Sequence, residues 1–121
     1  MLTDENKKKI LQSFLETIEW ISDREYQRKA WIRGEILETD FDETVNFFFD
    51  DVDPILENYK GFRITDSQYQ ILKNFRDKFR MFSDNNNWPH QFIDTPEWHK
   101  VTEMAKEVLE AFDYKSQKKN K

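Results

Sequence analysis

The clearest structural signal in the chain is residues 65–82, TDSQYQILKNFRDKFRMF. Thr65 and Gln68 have the spacing of a capping box, in which each side chain accepts a bond from the other residue's backbone N–H. Ile64 and Tyr69 stand where a hydrophobic staple would join them. Apolar residues then recur at helical spacing: Leu72, Phe75, Phe79 and Phe82. We therefore predict a helix that starts after the capping threonine and ends just beyond this stripe.

The same spacing predicts a helix near each end of the chain. The first covers residues 4–20 with Thr3 or Asp4 as its cap, and the last begins after Thr95 with Pro96 in its first turn. Their apolar stripes are Ile10, Leu11, Phe14, Leu15 and Ile18 in the first helix, and Val101, Met104, Ala105, Val108 and Phe112 in the last. Each stripe can face a common core.

A second helix is predicted over residues 23–33. Ser22 and Glu25 have capping-box spacing, and Gly34 fits the position just past a helix end, where a left-handed backbone is common. Trp20 lies off the apolar stripe of the first helix, so we expect it to pack on another helix. The sequence leaves open whether the first two helices are separate or continuous through a bend.

The third helix is expected to begin after Thr39 or Asp40, with one apolar face formed by Phe41, Val45, Phe48 and Val52. The Asp53-Pro54 pair then predicts a break, because Asp is a favoured N-cap and Pro is favoured at the first helical position. We therefore expect a separate short helix over residues 54–60.

The longest predicted loop covers residues 84–94. Three consecutive Asn residues and the Trp88-Pro89 step disfavour a helix there. We expect Trp88 to be buried over the core as a plug. The alternative is that the loop lines a pocket together with His90.

Length and composition support one helical domain. The chain has 121 residues, 16% of them aromatic, but only two Gly, three Pro and no Cys. So few turn residues argue against a β-sandwich, and the lack of Cys excludes disulfides and thiolate chemistry. We predict an all-α, single-domain compact bundle of five or six helices over residues 1–112. A basic, flexible tail is expected over residues 113–121, and the absence of a signal peptide or membrane span indicates a cytoplasmic protein.

Acidic residues are concentrated in one segment. Residues 34–59 contain nine Asp and Glu and no Lys or Arg, so the rest of a chain with net charge −5 carries +4. At ~100° per residue, Phe47 points away from the apolar face of the third helix, among Glu43, Asp50 and Asp51. An exposed aromatic ring surrounded by carboxylates is typical of a binding hot spot. The alternatives are that the acids form only a solvated face and that Phe47 packs against a neighbouring element.

Enzyme and metal motifs are largely excluded. An EF-hand loop needs glycine at its sixth position, and loops starting at Asp40 or Asp50 lack it. His99 and Glu103 lie one helical turn apart but supply only two ligands. A nuclease that used His90 and His99 as acid and base would need positive charge near its phosphates. We therefore predict no enzyme activity, no metal and no cofactor.

Three segments carry a family resemblance: residues 31–35 (WIRGE), 40–45 (DFDETV) and 92–98 (FIDTPEW). They resemble a pattern found in small bacterial proteins, and the whole chain is similar in type to immunity proteins of contact-dependent growth inhibition and related toxin systems. Many of those proteins are small, acidic and free of cysteine, and some are all-helical. The resemblance implies that the chain neutralises a toxin domain by binding it.

The residues and the resemblance together predict a non-enzymatic protein-binding module with a basic, nuclease-like toxin domain as partner. The predicted contact residues are Glu35, Glu38, Asp42, Glu43, Phe47, Asp50, Asp51 and Asp53. Neither nucleic acid nor a membrane is an expected partner. One alternative is a structural or regulatory homo-oligomer with Phe47 and Trp20 across a symmetric interface. Another is a small enzyme that uses His90 and His99.

Overall fold

The computed structural model of the chain describes residues 3–35 and 40–115. Within these ranges the protein is all-α and contains no strand. The helices are α1 (Asp4–Ser22), α2 (Arg24–Gln27) with a π-helical continuation (Arg28–Ile32), α3 (Phe41–Glu57), α4 (Asp66–Asn85), α5 (Pro89–Phe92) and α6 (Pro96–Ala111). The predicted compact all-α bundle of five or six helices is confirmed.

The four long helices form a closed bundle. α1 packs against both α6 and α3, and α4 packs against the same two helices from the other side. The short α2 packs against α1, and α5 contacts the π-helical segment that continues α2. The predicted stripe of α4 faces the core along its whole length: Leu72, Phe75, Phe79 and Phe82 are all buried.

Aromatic rings fill the centre of the bundle. Phe48 of α3 is fully buried, and its ring centroid lies 5.3 Å from that of Phe14 in α1. On the α4 side it lies 5.5 Å from Phe75 and 5.2 Å from Phe79, both nearly perpendicular to it. Edge-to-face pairs add to the stabilisation from burial, so α1, α3 and α4 are held at one point.

Polar side chains cap four helices as the sequence predicts. Thr3, Asp40 and Thr95 each accept a hydrogen bond from the backbone N–H three residues later, at 3.0, 2.8 and 3.3 Å. Thr65 and Gln68 form both bonds of the predicted capping box, at 3.1 and 2.9 Å. Each cap satisfies backbone donors that the first helical turn leaves without partners.

The predicted capping box at Ser22 is wrong. Asp23 caps α2 instead, and its carboxylate accepts from the Tyr26 N–H at 3.0 Å. The Ser22 hydroxyl donates to the Glu19 carbonyl at 2.7 Å, because Ser22 is still the last residue of α1. α1 and α2 are therefore separate helices. Trp20 packs on α2 as expected, with its ring 5.6 Å from that of Tyr26.

The second predicted helix becomes π-helical in its second half. The Arg33 N–H donates to the Arg28 carbonyl, five residues earlier, at 2.9 Å. Gly34 ends the segment with φ +66°, as its predicted position past the helix end requires. Ala30 and Trp31 of this segment are both buried.

The predicted break at Pro54 is wrong, because α3 runs through it to Glu57. Val52, Ile55 and Leu56 on both sides of the proline are buried at helical spacing. Pro54 itself is exposed, so its ring lies on the outer face of the helix. Burial of the apolar face therefore outweighs the backbone bond that proline cannot make.

The predicted long loop over residues 84–94 is shorter than expected. α4 extends to Asn85, and α5 occupies Pro89–Phe92. Trp88 is not a plug: it is 55% exposed, and its ring stacks on His90 at 5.0 Å. Pro89 and Phe92 are buried in its place, and the Phe92 ring lies 4.9 Å from that of Trp98.

Candidate functional site

α3 presents Phe47 on its outer face. Phe41, Phe48 and Val52 are buried, whereas Phe47 is 43% exposed. This exposure agrees with the helical geometry predicted from the sequence. An aromatic ring with almost half of its surface in contact with water contributes little to the core, so Phe47 is the natural starting point for a site.

α1 supplies the opposite wall of a groove beside Phe47. The groove has a volume of about 220 Å³ and is lined by Ser13, Glu16, Thr17 and Trp20 of α1 and by Phe47, Asp50 and Asp51 of α3. We call it the Phe47 groove. Two aromatic rings and three carboxylates share this small space, and no Lys or Arg of the described residues lines it.

Burial and repulsion act on the carboxylates of the groove. Asp51 is half-buried beside the exposed Asp50. Burial first, and then the negative charge of Asp50, raise the pKa of the Asp51 carboxyl. The ionised form of Asp51 is therefore disfavoured relative to that of a fully exposed aspartate, and a nearby cation would favour the ionised form and offset these effects.

The two flanks of α3 differ in charge balance. Toward α4, Asp53 accepts a bond from Arg76 at 3.1 Å and lies 3.8 Å from Arg80. The Arg80 guanidinium also covers the ring of Phe49, 4.6 Å from its centroid. Toward α1, Asp50 has no ion pair within the described residues. The arginines of α4 thus match the acid on one flank only.

The structure distributes the predicted contact residues over several places. Phe47, Asp50 and Asp51 line the groove. Asp42 and Glu43 are exposed in the first turn of α3 and do not line it. The remaining three predicted residues lie elsewhere: Glu35 pairs with Arg33 at 2.9 Å, Asp53 faces the arginines of α4, and Glu38 lies outside the described residues.

The predicted site did not include the α1 wall. Ser13, Glu16, Thr17 and Trp20 are spaced by three, one and three residues, which places them on one helical face. That face lies next to the apolar stripe of α1, and the signal for it was the off-stripe Trp20. Sequence spacing shows this face but not that α3, rather than α6, packs beside it.

Side chains suited to metal or acid–base chemistry do not converge. Among the described residues, no group of three or more His, Cys, Asp or Glu could hold a metal ion. His90 and His99 are both exposed, on α5 and on the first turn of α6. Glu103 has a lowered pKa, because it accepts a hydrogen bond from Lys106 at 3.0 Å. That pair is an exposed ion pair within one helix.

Comparisons with known proteins do not extend these observations. No family model, curated protein or solved structure matches the chain. Within the described residues, none of the helices is both long enough and apolar enough to cross a membrane. Function is therefore inferred from the groove itself.

Proposed function

We propose that the protein is a binding module that captures a basic partner protein in the Phe47 groove. The observation that carries the proposal is the exposed Phe47 ring beside Asp50 and Asp51, in a groove that no arginine of the described residues lines. Asp50 attracts the partner, Phe47 is the apolar anchor, and Trp20 forms the facing wall.

Charge complementarity supports a basic partner. Among the described residues no Lys or Arg lines the groove, so its carboxylates create a negative potential, which accelerates association with positive surfaces and disfavours acidic ones. A Lys or Arg placed next to Asp51 would favour its ionised form and so offset the burial and the repulsion from Asp50 that raise its pKa. The free protein thus holds a carboxylate whose charge is better stabilised in a complex with a cation.

The aromatic ring supports a specific contact rather than diffuse attraction. A few anchors carry most of the affinity in protein interfaces, and aromatic residues are common among them. Phe47 loses its remaining exposure when a partner covers the groove. Because carboxylates lie beside Phe47, the complementary partner surface is rich in arginine or lysine and makes one apolar contact with the ring.

We further propose that the partner is a toxin domain and that the chain acts as its immunity protein. Toxin domains that cut nucleic acids must present cations to phosphates. A groove with carboxylates around an aromatic ring is suited to covering such a surface. The catalytic alternative has less support, because His90 and His99 are exposed on separate helices and no metal-binding group is found in the described part of the chain.

The test has two stages: capture of binding partners from a lysate, and then measurement of the affinity of the purified partner. The tagged protein is used to retain proteins from a lysate of its own organism at low and at high salt, and retained proteins are identified by mass spectrometry. The double variant Phe47→Ala/Asp50→Lys is compared with Met81→Ala/Asp84→Lys. This control removes an exposed apolar side chain and adds the same charge on α4.

The purified partner is then titrated by calorimetry. A basic protein whose Kd rises about 30-fold or more, roughly 2 kcal/mol, with Phe47→Ala supports the proposal. The control variant should leave that Kd unchanged. A partner that binds both double variants equally well would show that binding uses another surface. Inhibition of the partner's nucleic-acid cleavage by the wild-type protein alone would support the immunity role.

A further inference from the structure

A second groove lies at the opposite end of α1, between its first two turns and the turn that follows α3. Its volume is about 220 Å³; Lys7, Lys8 and Arg63 line its sides together with the apolar Leu11 and Phe62. Asp4 also lines it and lies 3.6 Å from Arg63. We call it the Arg63 groove. Three cations and one carboxylate leave it with an excess of positive charge.

The turn that carries Arg63 has a defined conformation. Arg63 has φ +63°, which is uncommon for a residue with a side chain, and its N–H donates to the Lys60 carbonyl at 3.0 Å. A Cβ at Gly61 would stand 2.6 Å from the side-chain amide of Asn58, so that side chain would have to move. Phe62 is buried between them and anchors the turn to the core. Arg63 is therefore brought opposite α1 by the fold.

The lysines of this groove stand in an unfavourable field. Lys7 and Lys8 lie in the first two turns of α1, where the partial positive charge of the helix N-terminus disfavours cations. Lys9 pairs with Glu5 at 3.9 Å, whereas Lys7 and Lys8 have no ion pair within the described residues. An anionic surface over the groove would relieve this repulsion.

We propose that the Arg63 groove binds the Phe47 groove of a second copy of this chain, head to tail. The two surfaces are complementary: one has an apolar floor between cations, and the other has an exposed Phe47 ring beside carboxylates. Opposite charges at such patches steer association and fix its orientation. The contact is heterologous, because each copy contributes a different surface.

This inference rests on the same groove as the proposed function and adds a form of regulation to it. A copy whose Phe47 groove is occupied by another copy cannot hold a basic partner there. Self-association thus competes with capture, and the free binding groove becomes less available as the protein concentration rises. The competition weakens with salt, because the contact is electrostatic.

The test uses two variants that each keep one surface. Lys7→Glu/Lys8→Glu loses the Arg63 groove, and Phe47→Ala/Asp50→Lys loses the Phe47 groove. Each variant alone should remain at the 14.9 kDa mass of one chain by analytical ultracentrifugation. Mixed at low salt, they should form a complex of two chains and no larger species, because only one complementary pair of surfaces remains. The wild-type mass should rise with concentration.

The controls test the surfaces and the folding. Lys100→Glu/Lys115→Glu changes the charge by the same amount at exposed positions outside both grooves, and it should behave as the wild type. If Lys7→Glu/Lys8→Glu fails to fold by circular dichroism, Lys8→Gln/Arg63→Gln replaces it. In the mixture, labelled Lys7→Glu/Lys8→Glu should show amide chemical-shift changes that cluster around Phe47 and Trp20.

The outcomes separate this inference from the proposed function. A mixture that stays monomeric without amide shifts overturns the head-to-tail contact, even where a basic partner still requires Phe47. A mass that rises with concentration equally in the wild type and in both double variants overturns it as well, because association then uses another surface. Conversely, the two variants could form the mixed complex while capture finds no basic partner that requires Phe47. That result would refute the proposed function and leave the self-association standing.

Discussion

The side chains of Gln27 and Trp98 form a hydrogen bond inside the core, with the Trp98 indole N–H donating to the Gln27 amide oxygen at 2.8 Å. Both residues are fully buried. The amide nitrogen of Gln27 donates to the carbonyls of Trp20 and Ile21 at 2.9 and 2.8 Å. The side chain of Gln27 therefore forms hydrogen bonds with two carbonyls at the end of α1 and with the indole N–H of Trp98 in α6. A buried amide is tolerated because all of its polar atoms have partners.

Replacing Gln27 by Leu should destabilise the protein by about 2–4 kcal/mol, because it leaves the buried Trp98 N–H and the two α1 carbonyls short of partners. Urea denaturation would measure the loss. Gln70→Leu is the matched control, since among the described residues the Gln70 amide bonds only to the exposed Asn74 side chain. A loss in Gln27→Leu no larger than in the control would contradict the buried network.

Pro54 allows a prediction whose sign decides between a continuous and a broken helix. In the continuous α3, Pro54→Ala restores a backbone donor inside the helix and should stabilise the protein by about 1–2 kcal/mol. If Pro54 instead began a separate helix, alanine would remove a favoured first-turn residue and lower stability. The midpoint of urea denaturation at constant slope distinguishes the two, with Pro96→Ala at the true start of α6 as the comparison.

The contrast between Pro54 and Thr65 shows what the sequence could predict. The capping box at Thr65 involves residues three apart in the chain, and local spacing was sufficient to place it. The Asp53-Pro54 pair satisfies an equally good local rule, yet α3 continues because Val52, Ile55 and Leu56 are buried by distant helices. Local patterns therefore fail where tertiary burial favours a different local structure.

The candidate site, too, could be predicted from local spacing only in part. Exposure of Phe47 followed from the angular spacing of residues within α3, so it was predictable. The pairing of Asp53 with Arg76, and the position of Glu16 and Trp20 across the groove, depend on which helices are neighbours. One sequence without the packing of α1, α3 and α4 could not separate the neutralised acids from those beside Phe47.

The raised pKa of Asp51 predicts a pH dependence of stability. Because the pKa is higher in the folded state than the unfolded value near 3.8, the folded protein carries a cost whenever Asp51 is ionised. Asp51→Asn should therefore stabilise the protein at neutral pH, and this gain should shrink as the pH falls toward the unfolded value. Urea midpoints measured across that range check the sign.

Asp50→Asn provides the companion measurement for Asp51. Removing the neighbouring charge eliminates the second cause of the shift but not the burial, so the pKa of Asp51 should fall without reaching its ordinary value. Carboxyl titration by NMR follows Asp51 directly. An Asp51 pKa that does not respond to Asp50→Asn would mean that the two carboxylates do not share the groove.

The neighbouring residues Phe47 and Phe48 should respond to the same substitution with very different changes in stability. Phe48 is fully buried among Phe14, Phe75 and Phe79, so Phe48→Ala should lose about 3–5 kcal/mol of the free energy of unfolding. Phe47→Ala should change it by less than about 1 kcal/mol, since much of that ring already faces water. Thermal and urea denaturation of both variants measure the difference.

This pair also separates folding from binding. Phe47→Ala is expected to keep the fold and lose the basic partner, so a capture defect in that variant reflects the groove itself. A large stability loss in Phe47→Ala would place the ring in the core and remove the anchor of the proposed site. A stable variant with unchanged capture would instead leave Phe47 as an exposed ring on the outer face of α3 and move the search for the contact surface elsewhere.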